Sequence, residues 1–301
     1  MKPIALTVVA VALIAAACGS SAEPAATVNG EELAEADVTS LLHDVGDGVS
    51  DAEMGQYLGI MVQWSAIQQA ATETFAITAS DEDVAEQFAG LLADAGLTEV
   101  SEEFLASQNV SEDGLRRFAR QLATEAALRE HFAGEVPLPT AEEAELAVAS
   151  QLADWTVVCA SHILVATADE ATAVLDRLAA GEDFGALATE LSIDTGSGAA
   201  GGVLGCQIAA TYVPEFATAT LEAALGAVSP PVESQFGFHV IRVDERTVPS
   251  IEEAQTILQG GAIDEAVTSW IIEALNGAVV TVDARFGTWT TDPIPQIVPI
   301  G

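Results

Sequence analysis

The chain has 301 residues, half of them hydrophobic, and carries 46 acidic against 9 basic side chains for a net charge of −37. That length and apolar content suit about two compact domains and exclude a disordered chain. The charge excludes nucleic acid as a partner, because such a surface repels phosphate backbones and anionic lipid head groups alike. It reads as a solvated, aggregation-resistant surface suited to a salt-rich setting, or as one that guides cationic chains.

In chain order, MKPIALTVVAVALIAAA (1–17) sets a lysine before an apolar run too short to span a bilayer comfortably. Small residues then precede Cys18, the layout of an export signal. The segment resembles a bacterial lipoprotein signal, which implies cleavage before Cys18, lipidation of that cysteine and anchorage to the outer face of the cell membrane. Ala15 stands where that pattern usually has Leu, so plain cleavage to a soluble secreted or periplasmic chain is the alternative. Residues 18–27 then read as a flexible tether.

Residues 28–150 read as a helical region. VNG (28–30) is a turn, and Ser50 with Glu53 forms a capping box ahead of Met54, Leu58, Met61, Trp64 and Ile67 at helical spacing. A second helix starts near Ser80 and carries Val84, Phe88, Leu91 and Leu92 to Gly96. Ser111 precedes Leu115, Phe118, Leu122 and Phe132, with Gly134 and two prolines behind, and Thr140 with Glu143 opens the next helix. These apolar stripes are helix core.

At Trp155 the period changes. WTVVCASHILV is a strand, DEATAVLDRLAAG and FGALATELS are helices, GSGAAGG is a loop and VLGC a short strand. VPEFATATLEAAL is a helix, and SPPVES with GFHVIRVDER is a strand pair. From Ser250 helical spacing returns in IEEAQTIL and IDEAVTSWIIEAL, VVTVDARFGTW is strand-like, and residues 291–301 form a Pro-rich extended tail. A helical coda of that length rarely folds alone, so residues 250–290 are expected to pack on the N-terminal helices.

With Cys18 lipidated, Cys159 and Cys206 remain in an oxidising setting where two thiols commonly pair, and the bridge is worth about 3 to 4 kcal/mol. Strand parity argues against it. Cys159 lies on the face opposite His162, whereas Cys206 shares parity with Leu204, so only a bulge or strong twist lets the two meet. Both readings stand.

Residues 155–246 resemble a parvulin-type peptidyl-prolyl isomerase domain over its full length, through SHILV, FGALATELSIDTGS, GGVLG, YVPEF and VSPPVESQFGFHVIRV. The resemblance implies an α+β fold, a four-stranded antiparallel sheet with helices. It implies that His162 and His239 lie adjacent on the first and last strands, hydrogen-bonded to each other as neutral rings, with Asp194 beside the susceptible bond. By the same resemblance Leu204, Tyr212 and Phe216 hold the proline ring, Phe236 stands at the rim, and no cofactor or metal is needed. Val203, Cys206 and Tyr212 depart from the residues relatives often carry there. The helical flanks, with VNGEELAEADV and VDARFGTW, resemble exported foldases of the SurA and PrsA kind, in which the isomerase domain is inserted in a helical chaperone body.

The expected function is therefore isomerisation of X-Pro bonds in unfolded or extended client chains exported across the membrane. The alternative is a holdase that binds such chains without turnover. A metal site built from His162, His239 and Asp194 lacks any accompanying ligand spacing, and Ser/His/Asp hydrolysis lacks an activated serine.

Overall fold

The computed structural model describes residues 23–44 and 48–298. The export signal, Cys18 and most of the tether lie outside the described residues. None of the described helices is long and apolar enough to cross a membrane.

Two short strands, β1 (Ala26–Val28) and β2 (Glu31–Leu33), open the described chain. They are followed by α1 (Glu35–Thr39), α2 (Asp51–Phe75), α3 (Asp81–Asp94), α4 (Glu102–Gln108) and α5 (Glu112–Ala133). Next come α6 (Ala141–Ser150), α7 (Leu152–Trp155), β3 (Val157–Val165), α8 (Ala168–Ala179), α9 (Phe184–Leu191), α10 (Thr195–Gly198) and β4 (Val203–Ile208). The remainder is α11 (Pro214–Glu222), β5 (Val232–Ser234), β6 (Gly237–Thr247), α12 (Ile251–Gly277), β7 (Val280–Val282), β8 (Thr288–Thr290) and β9 (Gln296–Val298). The elements divide into two units, one of residues up to His131 and from Ala266 onward, the other Phe132–Glu265.

In the discontinuous unit, β1 lies between β2 and β7 in an antiparallel sheet. Asn29 and Gly30, with φ of 50° and 90°, make the tight turn between β1 and β2. The strand begins inside the segment read as a tether, with Ala25 and Ala26 already buried. The capping boxes at Ser50 and Ser80 open α2 and α3. Leu58 and Val62 of α2 are fully buried, and Val84, Phe88 and Leu92 of α3 pack with Ala119 and Ala123 of α5. Phe75 meets Trp270 at 5.3 Å between ring centroids.

The Pro-rich tail is not simply extended. Its residues Gln296–Val298 pair with β8, burying Ile297, and Gln63 donates to the Pro295 carbonyl at 2.8 Å. Three prolines in eleven residues mask a strand of only three residues. The short α4, capped by Ser101, carries a single buried side chain, Leu105, too little to produce a readable period. In α12 one helix runs through Gly260 and Gly261, neither of which has positive φ. Two glycines cost about 2 kcal/mol, but extending a formed helix avoids the penalty of nucleating another.

The contiguous unit holds the four-stranded antiparallel sheet, in the order β4-β3-β6-β5, so the α+β class and the sheet type agree with the sequence. One face packs Ile163, Val165 and Val240 against Val174 of α8 and Phe184 and Leu187 of α9. The other carries Ala160, Ile241 and Val243 against Phe216 of α11, with Leu204 and Tyr212 beside them. The loop read over GSGAAGG begins instead with the single turn α10.

Cys159 and Cys206 are joined in a disulfide. They stand directly opposite each other in the β3–β4 register, while Ala160 pairs with Gly205 and Ser161 with Val203. Leu204 is thus the extra residue of a bulge. It breaks the alternation on which the parity objection rested, so Cys206 faces Cys159 while Leu204 packs on the Phe216 side.

Candidate active site

His162 and His239 sit on the two central strands, where His162 pairs with Ile241 and Leu164 with His239. Residues opposite each other share a face, so the two histidines are diagonal neighbours on one side of the sheet. They are 6% and 4% exposed, and their Nδ1 atoms are 3.0 Å apart. Gly202 fixes the edge of this arrangement. The His162 amide donates to its carbonyl at 2.8 Å, and at its φ of +80° any Cβ would strike the His162 carbonyl oxygen.

The outer nitrogens are engaged as well. His162 Nε2 lies 2.8 Å from Asp194 Oδ2 and 3.1 Å from Ser197 Oγ, and Ser197 Oγ donates to the same carboxylate oxygen at 2.6 Å. The Asp194 carboxylate also caps α10, accepting from the Gly196 amide at 3.0 Å. These bonds, Ser197 first and His162 second, hold the Asp194 carboxyl down at about 2. On the other side His239 Nε2 lies 2.7 Å from Ser234 Oγ, which accepts from the Phe236 amide at 3.1 Å. Burial, and then the neighbouring His162, push His239 down to about 4, so it is neutral near pH 7.

Asp194 is an ionised acceptor, so His162 donates to it from Nε2. Ser234, His239, His162 and Asp194 are thus joined in one continuous chain of hydrogen bonds. All four ring nitrogens are engaged in hydrogen bonds within this chain. Among the described residues no group of three or more His, Cys, Asp or Glu side chains could hold a metal ion.

Phe216, 2% exposed, stands edge-on to both rings, with centroids 5.6 Å from His162 and 5.2 Å from His239. The Tyr212 ring lies 4.8 Å from Phe216, and Leu204 completes the apolar wall. Burial raises the Tyr212 phenol, and its buried hydroxyl has no hydrogen-bond partner in the structure. Phe236 is 59% exposed at the β5–β6 turn and joins the site through its amide alone. The structure thus brings His162, Asp194, His239, Leu204, Tyr212 and Phe216 together, with Phe236 at the margin. Ser197, Ser234 and Gly202 were missed by sequence reasoning. The two serines lie inside SIDTGS and VSPPVES, but turn geometry, not periodicity, gives them their roles.

The sequence profile of the Rotamase family, described as PPIC-type PPIASE domain, matches residues 162–245. Residues 162–245 are a PPIC-type PPIase domain. The chain is 31% identical over 232 residues to the foldase protein PrsA of Halalkalibacterium halodurans, a match covering 76% of this chain and 66% of that one. It is 39% identical over 111 residues to the foldase protein PrsA of Caldanaerobacter subterraneus subsp. tengcongensis, covering 37% and 36%. The matches therefore take in 66% or less of the length of these curated relatives. Among solved structures, the peptidylprolyl isomerase PrsA of Bacillus anthracis is 22% identical with a TM-score of 0.35, covering 72% of this chain and 96% of that one. The PPIC-type domain here coincides with the sheet and helices that build the histidine site.

Proposed function

We propose that this chain is a peptidyl-prolyl cis-trans isomerase that assists the folding of exported proteins, with unfolded or extended X-Pro segments as clients. The observation that carries the reading is the closed histidine pair facing Phe216, a buried floor with no free nitrogen beneath an aromatic wall. Rotation about an X-Pro bond makes and breaks no covalent bond, and needs no nucleophile or cofactor. It must cross a barrier of about 18–20 kcal/mol set by amide resonance.

The residues act by differential fit. Phe216, Tyr212 and Leu204 grip the pyrrolidine ring, while the rigid imidazole floor leaves room for the twisted amide. In the planar forms resonance places negative charge on the carbonyl oxygen, and twisting withdraws it. The Asp194 carboxylate, 31% exposed, presents a fixed negative charge beside that oxygen and so disfavours the planar forms relative to the twisted one. The histidine pair and Ser197 hold this carboxylate in place.

The names of the similar proteins and the export-signal layout of residues 1–18 support action outside the cytoplasm, with Cys18 as the lipid anchor on the outer face of the membrane. The deciding experiment is a proline-peptide isomerisation assay on the full chain with Phe216→Ala and Asp194→Ala variants. Wild type accelerates exchange and both variants lose at least tenfold. A wild-type rate equal to background, with client aggregation still suppressed, would overturn the enzyme reading and assign a holdase instead.

A further inference from the structure

The contiguous unit has a second concave surface, away from the histidines. Val157, where it begins, is five residues before His162 on β3, roughly 17 Å along the strand. The cavity has a volume of about 850 Å³, in the upper range of the ~300–1,000 Å³ usual for ligand sites. Trp155 forms its floor, packed from beneath by Ala144, Val148 and Ala254. Val157 and Ile208, opposite each other in the β3–β4 register, make one wall, and Ile257 of α12 makes the other. These three side chains are 38%, 45% and 56% exposed. A cluster of large apolar groups left open to water and rimmed by polar ones marks a surface that another molecule covers.

The rim says what kind of molecule. Asp154 and Glu252 border the groove, and no lysine or arginine lines it. Arg246, on the neighbouring strand, donates instead to the Thr220 and Ala223 carbonyls. A second copy would bring the same acidic rim and a further net charge of −37 against it. We infer that this groove is a docking site for an apolar polypeptide segment flanked by lysine or arginine, separate from the isomerase site. The apolar core of the segment covers Trp155, Ile208 and Ile257, and its basic flanks meet Asp154 and Glu252.

The test uses the full chain and a fluorescently labelled, proline-free peptide of leucine and isoleucine between lysine pairs, read by anisotropy. Because the probe contains no proline, its result is independent of the isomerase reading. Binding is expected, weakened about tenfold in Ile257→Ser, an exposed position where the change spares the core. The Asp154→Asn, Glu252→Gln double variant should bind about threefold more weakly, with a flatter salt dependence. Both variants keep wild-type turnover of a short proline peptide. Equal binding of a glutamate-flanked peptide, or affinity unchanged in both Ile257→Ser and Ile208→Ser, overturns the proposal. So does self-association of the full chain that Ile257→Ser abolishes, which would give the groove to a second copy.

Discussion

The two faces of the β3–β6 strand pair are built from alternate residues of the same strands and differ in almost everything else. On one, Ile163, Val165 and Val240 meet α8 and α9, and the Arg242 guanidinium covers the Phe184 ring. On the other, His162 and His239 lie among Ala160, Ile241 and Val243. Depth does not separate them, since Val240 is 0% exposed and His239 4%. What separates core from site is closure of hydrogen bonds. The apolar face needs only filled volume, whereas the polar face also needs Asp194, Ser197 and Ser234 each in place, because a buried polar atom without its partner costs about 1–3 kcal/mol.

The largest effect should come from cutting one large side chain on each face. Phe216→Ala and Leu187→Ala are each expected to lose about 3–4 kcal/mol in denaturant unfolding. Only Phe216→Ala should also lose kcat/KM in the proline-peptide assay when both are measured well below their midpoints. Equal loss of activity in the two would erase the distinction between the faces. Reducing the Cys159–Cys206 bridge, which closes a separation of 47 residues, should cost about 4 kcal/mol in the chain-entropy model. It should lower both variants by the same amount, and a larger drop in Phe216→Ala would show that the bridge supports the site face in particular.

On the polar face acid acts through two groups. His239 folds with a value near 4 against an ordinary 6.5, so the unfolded chain binds its proton first; this contribution is complete above pH 6.5 and is lost as pH falls toward 4. Asp194, near 2 against 3.8, keeps its contribution above 3.8 and loses it on the way to 2. Unfolding midpoints at about pH 7, 5 and 3 should show both steps in wild type and in Leu187→Ala, with the first reduced in His239→Asn. The smallest change is Tyr212→Phe. Removing a buried hydroxyl that has no partner should leave the melting temperature unchanged or raise stability by about 1 kcal/mol. A clear loss of stability would mean that the hydroxyl is bonded after all.

Much of this was legible from the residues alone. The capping boxes at Ser50, Ser80, Thr140 and Thr167 mark helix starts because they are local, four-residue events. The boxes at Ser50 and Thr140 could be read directly, and near Ser80 a helix start. The histidine pair stood out because strand parity leaves two titratable rings among apolar neighbours. The disulfide could not be decided, because a bulge at Leu204 changes which side of the strand every later residue faces, and no residue type announces it. Ser197 and Ser234 were invisible for a related reason. A serine in a turn looks like any other until the turn aims it at an imidazole. The open groove at Trp155 was unreadable too, since Val157, Ile208 and Ile257 come from three separated elements.

The pairing of β1 with β7 sets a timetable for synthesis. Thr27 and Thr281, bonded across those strands, are 254 positions apart. At ~5–20 residues per second the first of them leaves the ribosome roughly 13–50 s before its partner. The contiguous unit, finished at Glu265, has all its residues in hand before that sheet can close. Until then β1 has the local hairpin through Asn29 and Gly30 on one side and Gln69 of α2 bonded to the Val28 carbonyl, while its other edge waits for β7.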